Sequence, residues 1–93
     1  MIRKLLYTGS FTRDSKRFAA RHPEQMAALA KTLEMLRQDA FDPRLRTHKL
    51  GGQMAGSWSC SGGYDLRIVF EFTKVKGQSA ILLHALGTHD SVY

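Results

Sequence analysis

Between Tyr64 and Phe72 the side chains alternate. Tyr64, Leu66, Ile68, Phe70 and Phe72 fall on one side of an extended chain, and Asp65, Arg67, Val69 and Glu71 on the other. A period of two predicts a strand with one face on a core and the other open. The following segment "AILLHAL" is apolar on both faces except at His84, the pattern of a central strand. "RLRTHKL" and "GSWSC" are further β-prone pieces, and "GGQMAG", "SGG" and "KVKGQ" are the turns or short loops between them. At the other end of the chain, Ile2 to Tyr7 form a short strand pattern that stops at Gly9.

Between these strands the period changes. "SFTRDSKRFAARHP" places Phe11 and Phe18 two helical turns apart, with Asp14, Lys16 and Arg17 left to solvent. Pro23 ends that helix and suits the first turn of the next. In "PEQMAALAKTLEMLRQDAF", Met26, Leu29, Ala30, Leu33 and Leu36 or Arg37 follow the i, i+3, i+4, i+7 rule, with Glu24 early and Arg37 late, as the helix dipole favours. The order strand, helix, helix, then about four strands predicts an α+β domain. Its core is a twisted antiparallel sheet of about four to five strands with an N-terminal helical hairpin packed on one face. Residues 1–93 form a single domain, without repeat, linker or low-complexity stretch.

Composition agrees with a folded chain, 43% hydrophobic and 24% charged, and argues against disorder. Fourteen Lys and Arg against eight Asp and Glu give a formal charge of +6. So large an excess on a small surface attracts phosphates first and acidic proteins second. The single Cys60 makes no intrachain disulfide, and no Cys/His spacing suggests a zinc site, so no metal or other cofactor is expected. "MIRKLLYTG" lacks the features of a signal peptide, and "AILLHAL" falls well short of the roughly 20 residues that span a bilayer. The expectation is a cytoplasmic protein with no membrane partner.

The open face gathers chemistry. Arg46 and His48 stand two apart with Lys49 beside them, Asp65 and Arg67 lie on the alternating strand, and the C-terminal "GTHDSVY" adds His89, Asp90 and Tyr93. Imidazoles exchange protons near neutrality, a phenol donates one, and guanidinium groups stabilise the charge of a pentacovalent phosphate. RNA supplies its own nucleophile in the 2′-OH. Two histidines and an arginine therefore suffice for strand cleavage without a metal. Each residue also has a plain structural role. His89 and Asp90 close a turn, Tyr93 plugs an apolar edge, and Arg67 pairs with Glu71 or Asp65. His48 sits on the surface, and His84 is a satisfied core or interface histidine. His22 belongs to a loop or cap. Trp58 reads first as packing and second as a platform for a base.

Taken together, "THKLGGQMAGSWSCSGGYDLRIVFEF" and "ILLHALGTHDSVY" resemble the RelE/ParE superfamily of bacterial type II toxins, most closely its YafQ-like and RelE-like messenger-RNA interferase branch. The resemblance spans nearly the whole chain. It implies a RelE-like fold, ribosome-dependent and metal-independent cleavage of messenger RNA in the A site by 2′-OH attack, and a small cognate antitoxin that wraps the toxin. Messenger RNA on the ribosome and 16S ribosomal RNA are then the nucleic-acid partners, and a toxin–antitoxin hetero-oligomer is expected. By the same resemblance His48 serves proton transfer at the 2′-OH, Asp65 orients a histidine or the substrate, and Arg67 lies near the scissile phosphate. His89 is the general acid, and Tyr93 stacks a base or assists proton transfer. Arg46, Lys49 and Trp58 complete the RNA-binding set. There is one departure: relatives commonly carry an arginine or histidine in the loop before the central strand, where "CSGGYD" has Ser61. Losing one transition-state contact costs about 3 kcal/mol, which Arg46 or Lys49 would have to offset. The alternative is a ParE-like gyrase inhibitor or a decayed toxin that only binds its antitoxin. A generic basic RNA-binding domain ranks third.

Overall fold

The computed structural model describes residues 1–63 and 65–88. Strand β1 (Lys4–Tyr7) leads into helix α1 (Gly9–Arg21), a 3₁₀ turn at Pro23–Gln25 and helix α2 (Met26–Gln38). Strands β2 (His48–Lys49), β3 (Trp58–Gly62), β4 (Leu66–Val75) and β5 (Gln78–Gly87) follow. The sheet runs β1-β5-β4-β3-β2. Its last three pairings are antiparallel, while the edge strand β1 lies parallel to β5, with Lys4 opposite Ala80 and Tyr7 opposite Leu83. The architecture is α+β, as the change of period predicts, with β5 in an interior position between β1 and β4.

Local chemistry sets the boundaries. The Thr8 hydroxyl accepts from the Phe11 N–H at 3.0 Å, capping α1, and donates to the Leu83 carbonyl at 2.8 Å, so one side chain joins β1, α1 and β5. His22 ends α1: its N–H returns to the Phe18 carbonyl, its ring packs on Phe18, and Pro23 opens the next turn. Lys76 and Gly77 both take positive φ in the turn joining β4 to β5, the geometry that suits a two-residue hairpin.

The helices cover one face, α1 over β5 and α2 over β3. Phe11, Phe18, Leu29 and Leu36 meet Leu66, Ile68, Phe70, Ile81 and Leu83 in the core. Thr32 is the buried α2 residue that the apolar pattern omits, whereas Ala30 is exposed. The close fit of α2 on β3 explains the exchange: a Cβ on Gly62 would stand 1.9 Å from Thr32 Oγ1.

One segment departs from expectation. Most of "RLRTHKL" is not a strand, since Pro43–Leu45 form a 3₁₀ turn and only His48 and Lys49 pair with β3. Asp42 and Pro43 are the cause: proline presets φ, and the Asp42 carboxylate accepts from the Arg44 N–H at 2.9 Å. Leu45 is thereby turned into the core, 1% exposed. Among the described residues no helix is long and apolar enough to cross a membrane.

Candidate active site

Register places the site residues. His48 pairs with Ser59, Ser59 with Val69, and Ser61 with Arg67. Side chains at i and i+2 share a face, so His48, Ser59, Ser61 and Arg67 all project from the sheet side opposite the helices. That face is not uniformly polar or bare, because Val69 and Ser59 on it are buried.

His48 is exposed, and its ring is held from one end. Arg46 adopts left-handed backbone angles (φ 52°, ψ 41°), and its carbonyl lies 2.9 Å from His48 Nδ1. A carbonyl only accepts, so Nδ1 carries the proton in this bond. The neutral imidazole then presents the lone pair of Nε2, the state required of a base.

Arg46, whose carbonyl holds His48, also lines a cleft of about 320 Å³ together with Arg44, Ser61, Gly63 and Arg67. Arg67 Nη1 donates to the Leu66 carbonyl at 3.1 Å, which fixes the guanidinium against the strand. Arg44 is clamped by Asp42, Nε to Oδ1 at 3.1 Å and Nη2 to Oδ2 at 2.8 Å. These bonds hold the Asp42 carboxyl down at about 2, the side-chain bond from Arg44 contributing most. An anion entering this cleft meets guanidinium forks matched to phosphate oxygens.

The structure brings His48, Arg46 and Arg67 to one face and separates Lys49 and Trp58 from them. Lys49 pairs with Trp58, and Trp58 with Phe70, on the helix side of the sheet. Trp58 packs there against Phe41 and Phe72, with Lys49 Nζ 5.5 Å from its ring centroid. Asp65 is half-buried in the turn between β3 and β4. His89, Asp90 and Tyr93 lie outside the described residues, as does Tyr64.

Two features were not read from the sequence. Arg44 enters the cleft through the 3₁₀ turn, which the Asp42-Pro43 pair signals as a turn. His84 is the extra residue of a β-bulge opposite Val69 and Phe70. Its Nε2 bonds the Glu71 carboxylate, so Glu71 pairs with a histidine rather than with Arg67, and no local pattern announces the bulge.

A pair of helices on one face of a five-stranded sheet, with a histidine and arginines on the other, is the arrangement expected of the toxin class the sequence resembles. The profile described as "Bacterial toxin of type II toxin-antitoxin system, YafQ" matches residues 3–93, so the chain belongs to that family. Among solved structures, Escherichia coli YafQ superposes with a TM-score of 0.80 at 19% identity, covering 98% of both chains. The toxin in the E. coli DinJ-YafQ toxin-antitoxin complex gives 0.77 at 20% identity, over 100% of this chain and 99% of that one. A YoeB/ParE toxin from Agrobacterium tumefaciens gives 0.74 at 19% identity, over 92% and 98%. At these identities the structural likeness speaks for the fold. No curated protein matches the sequence.

Proposed function

We propose that this toxin is a ribosome-dependent endoribonuclease that cuts messenger RNA in the A site, and that a small cognate antitoxin holds it inactive. The observation that carries the reading is the exposed His48 imidazole, anchored through Nδ1 on the carbonyl of Arg46, a residue that itself lines the arginine cleft. In this mechanism His48 Nε2 takes the proton of the 2′-OH, and the 2′-oxygen attacks the adjacent phosphorus. The P–O5′ bond breaks, and the leaving 5′-oxygen receives a proton from a general acid. The products are a 2′,3′-cyclic phosphate and a 5′-hydroxyl. Arg67 and Arg46 hold the non-bridging oxygens as negative charge accumulates. His89 is the proposed acid, Asp65 the proposed orienting carboxylate, and Tyr93 the proposed stacking or proton-assisting group.

The antitoxin rests on family membership and on the E. coli relative, which is crystallised with DinJ. The +6 charge suits both an acidic protein and ribosomal RNA.

The test is growth inhibition on induction of the chain, compared with His48→Ala at equal soluble yield. Loss of both toxicity and messenger cleavage in the variant, with gyrase supercoiling untouched by the wild type, is the expected result. Toxicity that survives His48→Ala and tracks a stoichiometric block of gyrase would replace the nuclease with the ParE-like reading.

A further inference from the structure

The absence of a basic residue at Ser61 leaves a gap in the pattern of related toxins, and the fold brings a cation to the same place from elsewhere in the chain. We propose that Arg44 is a phosphate-binding residue, closing with Arg46 and Arg67 on a backbone phosphodiester of the cleaved RNA strand. The inference rests on the nuclease reading above and extends it to a residue which that reading does not use.

Ser61 pairs with Arg67 across β3 and β4, and both line the cleft with Arg44 and Arg46. Arg46 and Arg67 bring two guanidinium charges to one small cleft beside the Arg44–Asp42 pair, and an anion between them relieves their repulsion. Arg44 remains equipped to bind while clamped: Asp42 occupies Nε and one hydrogen of Nη2, which leaves three of the five guanidinium donors available. The clamp also fixes the plane of the fork, a prerequisite for two-point contact with phosphate oxygens.

Gly63, at φ +67°, lines the cleft without a side chain, so a phosphate can approach the backbone there. A second cleft adjoins the first, sharing Arg44, Ser61 and Gly63 and adding Lys31 from α2. Positive charge therefore runs continuously from Arg67 past Arg46 and Arg44 to Lys31, the arrangement an extended single strand requires. A carboxylate of an acidic protein is the competing ligand. The phosphate is favoured because Arg46 belongs to the cleft and its carbonyl also holds His48, so one residue joins the anion site to the proposed base.

The experiment has two arms on the whole chain, with Arg44→Ala, Arg44→Lys and, as a charge-matched control at the far hairpin, Lys74→Ala. In the first, binding of a 2′-O-methyl single-stranded RNA oligonucleotide is measured against salt. Arg44→Ala is expected to weaken binding about tenfold at low salt and to flatten the log–log salt slope by about 0.7. Arg44→Lys should keep the slope but lose affinity, and Lys74→Ala should change neither. In the second, single-turnover cleavage of ribosome-bound messenger is followed, and Arg44→Ala is expected to slow it about 10- to 100-fold at saturation.

If the wild type binds the oligonucleotide with the expected slope but cuts nothing, the nuclease reading fails while the phosphate site stands. If Arg44→Ala, folded by circular dichroism, matches wild type in both arms, the site is refuted. The same variant weakening only an antitoxin complex would reassign the cleft to a protein carboxylate.

Discussion

His48 is solvent-exposed, and its ring is oriented through a single bond to the Arg46 carbonyl, so its removal separates chemistry from folding. His48→Ala should lower single-turnover cleavage by about 10²- to 10⁴-fold with an unchanged thermal melt. Two further residues carry pH and reactivity signatures. The Asp42 carboxyl, held at about 2 by Arg44, favours the folded turn above its ordinary value near 3.8. That contribution is complete at neutral pH and is lost as the pH falls through about 2, the direction expected of a depressed acid. A carboxyl-carbon titration by NMR should place the Asp42 midpoint near 2 and, in Arg44→Ala, shift it up toward the ordinary value while the bond from the backbone N–H at position 44 still holds it lower. Cys60 is buried among the core side chains, which pushes its thiol up to about 12. Alkylation by iodoacetamide at pH 8 should be negligible in the native protein and rapid after denaturation. Alternation and spacing place His48 and Arg67 on one face of the sheet, as register shows, whereas Arg46 follows a 3₁₀ turn in left-handed backbone rather than lying on a strand. Arg44 was not legible, because its place depends on where a 3₁₀ turn points, and turn direction is a property of the assembled fold.

At the scale of elements, the fold depends on a few joints between strand and helix. Asp14 on α1 accepts from the Leu86 N–H of β5 at 3.0 Å, tying the first helix to the strand that leads into the C-terminal segment. Asp14→Ala should destabilise the protein by about 1–2 kcal/mol, read as a drop of several degrees in melting temperature. Gly62→Ala should cost about 1–3 kcal/mol in a denaturant titration, since its Cβ would clash with Thr32 where α2 lies on β3. Both helices and the β4–β5 hairpin were legible because their apolar periods, Phe11 to Phe18 and Leu66 to Phe72, reflect a single buried face. "RLRTHKL" misled because its β-prone side chains are overridden by Asp42 and Pro43 just before it, leaving two residues of strand. The parallel pairing of β1 with β5 and the bulge at His84 are long-range outcomes that no window of sequence contains. His84, read as a core or interface histidine, is half-exposed and hydrogen-bonded through Nε2 to the Glu71 carboxylate.

For the whole molecule, the sheet divides the work. The helix side supplies the core, with the Phe41, Trp58 and Phe72 cluster at its margin, and the opposite side presents His48 and the arginine cleft. Trp58 and Lys49 therefore sit apart from the proposed chemistry, although in sequence they flank the same segment. A charge of +6 provides long-range attraction to polyanions, so under the proposed function association with ribosomes should weaken steeply with added salt. The central claim is that this attraction delivers His48 to a messenger in the A site. The most direct measurement is primer extension on ribosomes stalled with a defined messenger and incubated with the purified chain, alongside ribosome-free RNA and His48→Ala. The account predicts a cut inside the A-site codon, leaving a 2′,3′-cyclic phosphate, that requires both the ribosome and His48. An uncut messenger on ribosomes to which the folded chain is bound would contradict it.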